Sequence, residues 1–91
     1  MLLISYDIKD NKLRTKFNKF ITRYGHRLQY SLYEIQNSDR ILNIIMCEIE
    51  TNFKEQFSET DSIMIFKFRK DEIIAKYGYA KHQDDAIILL L

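Results

Sequence analysis

The chain has 91 residues, a formal net charge of +1 and a single cysteine, Cys47. This length predicts one domain with a small core, and a single cysteine excludes an internal disulfide scaffold. Because no segment has the pattern of a signal peptide and no apolar run reaches the roughly 20 residues of a membrane span, we expect a cytoplasmic protein with no membrane part.

The net charge hides an uneven distribution of charged residues. Residues 9–27 carry seven lysines and arginines against the single acid Asp10, whereas residues 28–66 carry seven acids against Arg40 and Lys54. A basic first part and an acidic middle within one small domain predict a surface for a polyanion and a separate surface for another partner.

The first predicted strand, residues 2–8, is apolar and carries a carboxylate, Asp7, near its end. It is rich in strand-forming residues, and the polar segment 9–11 that follows would end it. Two interpretations of Asp7 stay open. The carboxylate either caps the helix just downstream, or it provides a metal-binding or general-base position at the open end of a sheet.

The first predicted helix spans residues 11–24, with Asp10 or Asn11 as its cap and Gly25 as the residue that ends it. Apolar side chains recur at helical spacing and predict a buried face made of Leu13, Phe17, Phe20, Ile21 and Tyr24.

A basic stripe lies beside this apolar face and consists of Lys12, Lys16, Lys19 and Arg23. A solvated helix surface is one interpretation of the stripe. However, no acidic residue stands four positions after any of the four, and a nucleic-acid backbone would supply the missing negative charge. Together with Arg14 and Arg27 near the two ends of the helix, the stripe forms the predicted nucleic-acid-binding set.

Residues 27–35 alternate between apolar and polar side chains and predict a second strand. A short extra strand is predicted between residues 33 and 37 if the chain folds back there. The polar segment 36–39 offers Ser38 or Asn37 as the cap of a second helix, whose apolar residues recur at helical spacing up to about residue 57.

The third clear strand, residues 62–68, has apolar side chains on both faces. Ile63 and Ile65 lie on one face, and Met64 and Phe66 lie on the other. Since two helices cover only one face of a small sheet, we expect a second copy of the chain to pack against the other face about a two-fold axis.

Residues from about 73 to 91 end in six consecutive apolar residues and predict a C-terminal strand extension that braces this dimer. The order strand, helix, strand, helix, strand, with further strands at the end, predicts an α+β fold. Its specific form is a ferredoxin-like sandwich, in which an antiparallel sheet carries two helices on one face and dimerises through the open face. A single domain covers residues 1–91.

Several short motifs occur in the same order as in the CRISPR-associated protein 2 family, and the chain resembles that family over nearly its whole length. The motifs are Tyr6-Asp7-Ile8, Arg14, Tyr24-Gly25, Arg27, Gln29, Ser31, Tyr33-Glu34 and Asp61-Ser62-Ile63. The resemblance implies a homodimer at the centre of the CRISPR spacer-acquisition complex, which holds duplex DNA and bridges dimers of the integrase, CRISPR-associated protein 1. It also implies that Asp7 is a metal ligand and catalytic residue, because several members are described as metal-dependent endonucleases acting on RNA or DNA.

The residues themselves favour DNA-backbone binding as the main activity and leave a Mg²⁺-dependent endonuclease open. One carboxylate per chain is a small metal site, although two copies of Asp7 facing each other across a dimer axis would share an ion over the scissile phosphate. His26 and His82 are more typical of surface histidines than of a general base. Binding to a phosphate backbone requires only positive charge at suitable spacing.

Two other functions fit the predicted fold. One is a toxin-type endoribonuclease resembling the virulence-associated protein D group, which shares the fold and a similar strand-end aspartate. The other is a non-catalytic ferredoxin-like module that binds a small effector and regulates a partner. Neighbouring genes would separate these functions, since a CRISPR array beside an integrase gene supports spacer acquisition and an antitoxin gene supports the toxin.

Overall fold

A computed structural model describes residues 1–69, 72, 74, 75 and 77. The strands and helices in this part of the chain are β1 (Leu2–Asp7), α1 (Asn11–Ile21), β2 (Gly25–Gln29), β3 (Leu32–Ile35), α2 (Asp39–Glu48) and β4 (Ser62–Lys67). Beyond α2 the chain stays helical through a π-helical segment, Ile49–Phe53, and a 3-10 turn, Lys54–Gln56.

The four strands form one antiparallel sheet in the order β2-β3-β1-β4. The central strand β1 pairs with β3, with Leu2 opposite Ile35, and with β4, with Leu2 opposite Lys67. The first and third of the predicted strands therefore lie side by side, with the second at one edge. This arrangement of four strands and two helices confirms the predicted α+β ferredoxin-like fold.

The main core lies between the sheet and the two helices. Ile4, Tyr6 and Ile8 of the first strand and its extension are buried in it. The ring of Phe17 from α1 lies 5.1 Å from that of Tyr6 and 5.1 Å from that of Phe53. Because successive side chains of a strand point to opposite faces, the odd-numbered residues of β1, namely Leu3, Ser5 and Asp7, belong to the other face of the sheet, which we call the open face.

The first helix ends earlier than its apolar pattern predicts. Asp10 is the cap, and its carboxylate accepts the backbone N–H of Leu13 at 2.9 Å. The helix stops at Ile21, and Gly25 begins β2 instead of ending the helix. A Cβ at Gly25 would lie 1.9 Å from the carbonyl oxygen of Glu34, so the close approach of two strands accounts for this glycine.

The predicted second strand is a hairpin, which corrects the expectation of one continuous strand over residues 27–35. β2 and β3 pair with each other, and the chain reverses at Tyr30 and Ser31. The reversal therefore comes before the segment 33–37 in which a fold-back was predicted. Alternation of apolar and polar residues continues across a two-residue turn, which explains why the pattern resembles a single strand.

The second helix and the last described strand follow the prediction closely. Ser38 caps α2, with its hydroxyl oxygen accepting the N–H of Ile41 at 3.3 Å. On β4, Ile63 and Ile65 pack against the main core, whereas Met64 and Phe66 are 55% and 40% exposed on the open face. The predicted C-terminal strand extension, residues 73–91, lies almost entirely outside the described residues and stays a prediction.

In the part of the chain that the structure describes, no helix has the length and apolar character needed to cross a membrane.

Candidate nucleic-acid-binding site

Asp7 lies at the carboxyl end of β1, on the open face, opposite Ser62 of β4. Its side chain is 63% exposed, and the ammonium group of Lys9 lies 3.3 Å from one carboxylate oxygen. Asp7 does not cap α1, since Asp10 has that role. Of the two interpretations of Asp7, the one that places an accessible carboxylate at the end of the sheet agrees with this position.

The other acids near Asp7 already have backbone partners. Asp10 caps α1, while Asp61 accepts the N–H of Lys9 through one carboxylate oxygen and that of Ser58 through the other, each at 2.9 Å. The N–H groups of Ser58 and Lys9 lower the pKa of Asp61, because they stabilise the charged carboxylate. Within the described residues no group of three metal-ligating side chains occurs. Each chain thus offers one available carboxylate at this position.

The basic stripe keeps its charges exposed, although Arg23 lies beyond Ile21, the last residue of α1, and so outside the helix on which it was predicted. α1 contains no acidic residue, and among the described residues no ion pair involves Lys12, Lys16, Lys19 or Arg23. One of the four differs from the others, because the ammonium group of Lys16 lies 5.2 Å from the centre of the Phe53 ring. This cation–π contact holds Lys16 against the protein, whereas the other three cations are available for an external anion.

Arg14 has a structural task that the sequence pattern does not show. Its guanidinium donates to the carbonyl oxygens of Ile8 at 2.8 Å and Lys9 at 3.2 Å, and also to the side-chain oxygen of Asn11. Arg14 is partly buried and lies off the stripe. It braces the loop that follows Asp7, with Asp61 holding the same loop from the other side.

A cleft of about 250 Å³ lies between α1 and the turn of the β2–β3 hairpin. We call it the α1–hairpin cleft, and it is lined by Tyr6, Arg14, Thr15, Asn18, Arg27, Tyr30 and Ser31. The structure thus brings Arg14 and Arg27 together, although the sequence places them at opposite ends of the helical region. It separates both from the outer stripe residues.

The inner end of the α1–hairpin cleft is held by a small hydrogen-bonded group. The amide of Asn18 donates to the phenol oxygens of Tyr6, at 3.3 Å, and of Tyr33. Burial, followed by the nearby Tyr6, raises the pKa of Tyr33, so this phenol stays neutral at physiological pH. Sequence reasoning missed Asn18 and Tyr30 as site residues, because an isolated polar helix residue and an isolated turn aromatic carry no spacing signal.

His26 lies on the open face, away from Asp7. Its Nε2 is 3.6 Å from an oxygen of the buried Glu34, and its side chain is 44% exposed. This position at the far end of the sheet keeps His26 away from Asp7, and its Nε2 is buried against Glu34, so the imidazole is only partly a surface group. His82 lies outside the described residues.

The comparisons with known proteins decide between the proposed families. A family model described as CRISPR associated protein Cas2 matches residues 1–74. The chain belongs to the Cas2 family. The match confirms the predicted resemblance over the whole described sheet and both helices.

Two relatives support the assignment to Cas2. The chain is 31% identical over 65 residues to CRISPR-associated endoribonuclease Cas2 2 of Methanospirillum hungatei, a match that covers 71% of this chain and 68% of that protein. It is 30% identical over 78 residues to CRISPR-associated endoribonuclease Cas2 of Mycobacterium tuberculosis, a match that covers 85% of this chain and 65% of that protein. The matches therefore span about two thirds of each relative.

A solved structure supports the fold alone. The crystal structure of a hypothetical protein from Thermus thermophilus superposes with a TM-score of 0.63 at 23% identity, covering 75% of this chain and 79% of that one.

Proposed function

We propose that this Cas2-family chain works as a homodimer in CRISPR adaptation, where it holds duplex prespacer DNA by its backbone and bridges dimers of the integrase, CRISPR-associated protein 1. The observation that carries the proposal is the charge of α1. Lys12 and Lys19 are exposed on one side of α1, which has no acidic residues, and Arg23 is exposed two residues beyond its end. None of the three has an ion-pair partner among the described residues.

Phosphate binding accounts for this arrangement better than solvation alone does. An ordinary exposed helix mixes charges of both signs, which form pairs at a spacing of four residues. The helical continuation of α2 shows that pattern, because the ammonium group of Lys54 lies 3.3 Å from a carboxylate oxygen of Glu50, four residues earlier. Of the two described helices, α1 alone concentrates charge of one sign. A row of cations matches the repeated negative charge of a nucleic-acid backbone.

The exposed apolar side chains of the open face support the proposed dimer. Met64 and Phe66 lie exposed beside each other on the central part of β4, next to Ser5 and Leu3 of β1. A second copy packed sheet against sheet would cover these side chains. The same packing would place the two copies of Asp7 on the shared face, one from each protomer.

A second activity, Mg²⁺-dependent endonuclease, is favoured by the exposure of Asp7 and by the name endoribonuclease that both relatives carry. The residues fit such a site only across the dimer, because Asp7 is the one acid among the described residues at this strand end that is not bound to backbone N–H groups. Mg²⁺ is commonly held by one or two carboxylates with phosphate oxygens. The two copies of Asp7 would hold the ion, which supplies positive charge to the reacting phosphate. Lys9, Arg14 and Asp61 would keep the loop after Asp7 in place.

A salt titration of duplex binding tests the main proposal. Fluorescence anisotropy with a labelled 30-base-pair duplex is measured from low to moderate salt, because each phosphate contact adds about 0.9 to the slope of log K against log salt. We expect a slope steeper than about −4 for the dimer, independent of DNA sequence. Lys12→Gln, Lys19→Gln and Arg23→Gln should each reduce the slope by roughly one unit per lost contact.

Two further variants serve as comparisons, one for the loss of a positive charge elsewhere and one for the contact of Lys16 with Phe53. Arg40→Gln removes one positive charge from α2 and should leave the slope unchanged. Lys16→Gln should reduce it by less than Lys12→Gln, because the Lys16 ammonium already contacts Phe53. A flat salt response, or equal effects of Arg40→Gln and the stripe variants, contradicts DNA binding by α1.

A further inference from the structure

The α1–hairpin cleft combines two cations with an exposed aromatic ring. We propose that it binds one nucleotide of a single-stranded nucleic acid, with the guanidinium groups of Arg14 and Arg27 on the phosphate and the ring of Tyr30 against the base. The inference depends on the cleft alone, so it stands or falls separately from duplex binding by the basic stripe and from cleavage at Asp7.

The charge of the cleft selects an anion. Neither aspartate nor glutamate is among its lining residues, and no described residue pairs with Arg27. Arg14 is fixed by its bonds to the carbonyl oxygens of Ile8 and Lys9, so its charge is held at the cleft before any ligand arrives. Two guanidinium groups on one small cavity form a site of the kind that binds phosphate with several hydrogen bonds.

The size and lining of the cleft select a single nucleotide unit. Its volume of about 250 Å³ is smaller than a typical small-molecule pocket of roughly 300 to 1,000 Å³, and it suits one phosphate with its sugar. Thr15, Asn18 and Ser31 add uncharged polar groups that can bond sugar and phosphate oxygens. The amide of Asn18 is already oriented by the two buried phenol groups.

The exposed ring of Tyr30 favours a single-stranded nucleic acid over a duplex as the ligand. Its side chain is 80% exposed at the tip of the hairpin, where the ring packs against little of the protein but borders the cleft. A base can stack on such a ring whatever its identity, and each such contact changes affinity by a factor of about 5 to 150. Bases in a duplex are already stacked on each other, so only an unpaired nucleotide can use the ring.

The test compares wild-type and Tyr30→Ala protein on two ligands, a strand with bases and a strand without them. Fluorescence anisotropy at low salt is measured for a labelled oligothymidylate of six nucleotides. The second ligand is an abasic strand of the same length, which has the same phosphates without bases. Wild-type protein should bind oligothymidylate more tightly. Tyr30→Ala should weaken oligothymidylate binding by at least about 5-fold and leave binding of the abasic strand unchanged. Tyr30→Phe, which keeps the ring, should behave as wild type.

A second pair of variants tests the phosphate contact. Arg27→Gln should weaken binding of both strands by the same factor, whereas Arg40→Gln, the same charge change on α2, should affect neither. Arg14 is not used as a probe, because it also braces the loop after Asp7. Tyr30 and Arg27 are exposed, so circular dichroism of both variants should match the wild-type spectrum.

The outcomes separate this inference from the proposed function. If Tyr30→Ala weakens both strands equally or neither, or if Arg27→Gln has no larger effect than Arg40→Gln, the cleft is not a nucleotide site, whatever the duplex titration shows. If the base-dependent loss is found and wild-type protein shows no salt-dependent duplex binding, the cleft proposal stands and the duplex proposal fails.

Discussion

The basic side of α1 and the open face of the sheet are opposite kinds of surface. On α1, Lys12 and Lys19, and just beyond its end Arg23, present charge of one sign with no ion-pair partner among the described residues. On the open face, Met64 and Phe66 present apolar surface, with Asp7 at the strand end. Because the helix layer and the sheet separate the two surfaces, the proposed nucleic acid on one would not compete with the proposed second copy of the chain on the other. Changes to one surface should therefore leave the other intact.

Replacing Asp7 should give the largest effect, and it should remove cleavage at the open face without changing duplex binding by α1. We expect Asp7→Asn to lower any Mg²⁺-dependent cleavage of RNA or DNA by at least about 100-fold, because an outer-shell partner of a metal ligand already contributes 10- to 100-fold and Asp7 is the proposed ligand itself. Duplex affinity should stay within about twofold of wild type. The measurement is a gel-based cleavage assay with and without Mg²⁺, next to the anisotropy titration.

Glu55→Gln is the matched control for the Asp7 change, since it removes one exposed negative charge from the helical segment after α2. It should leave cleavage and binding unchanged. Full cleavage by Asp7→Asn protein would mean that the nuclease site lies elsewhere or that the activity comes from another protein.

Charging the open face should give the next largest effect. Met64→Glu should raise the dimer dissociation constant by at least about 100-fold, because a two-fold interface loses two buried methionines and gains two buried charges. Met46→Glu is the control: Met46 is 43% exposed on α2, away from the open face, and its replacement should leave the dimer intact. Sedimentation velocity at micromolar concentration measures both. Equal effects of the two changes, or a monomeric wild-type protein, would refute the sheet-to-sheet dimer.

Replacing Asp61 should give the smallest effect. It tests how strongly Asp61 holds the loop that joins β1 to α1. Its carboxylate accepts two backbone N–H groups and has a lowered pKa in the folded protein, so its ionised form stabilises the fold. That contribution is complete above the ordinary pKa of the group, near 3.8, and disappears as the pH falls through the lowered value. Asp61→Asn, which keeps one acceptor oxygen, should lower Tm by a few degrees near neutral pH.

The pH dependence distinguishes this role from a general loss of packing. The difference in Tm between wild type and Asp61→Asn should be constant from neutral pH down to about 5 and should shrink below about 4, as the wild-type carboxylate becomes protonated. Thermal unfolding followed by circular dichroism provides both values. A difference that persists at pH 2 would show that the carboxylate acts through packing and not through its charge.

Regular patterns in the sequence predicted most of the fold. The apolar spacing of α1 and α2, the caps Asp10 and Ser38, and the two-faced strand β4 all follow from local rules, and each occurs in the structure within a few residues of its predicted place. The hairpin was missed because the turn at Tyr30 and Ser31 lacks glycine, asparagine and proline, the residues that most clearly mark a reversal.

The candidate site was only partly predictable. The basic stripe is a helical pattern and could be identified from the sequence, whereas the task of Arg14 depends on carbonyl groups that a loop presents only after folding. In the same way, the α1–hairpin cleft joins Asn18, Arg27 and Tyr30 from three elements. No spacing rule relates them, because the tertiary fold creates their proximity.

The central place of β1 also constrains how the chain can fold during synthesis. β1 leaves the ribosome before both of its neighbours, and the hydrogen bond from Lys9 to Asp61 joins residues 52 positions apart. The β2–β3 hairpin can form locally. One edge of the apolar strand β1 stays unpaired until β4, which follows α2 and its continuation, has been translated. Non-local strand pairing of this kind folds slowly, and an unpaired apolar strand is prone to aggregate while it waits. We therefore expect the pairing of β4 with β1 to be the step that ends the risk of aggregation through the unpaired edge of β1.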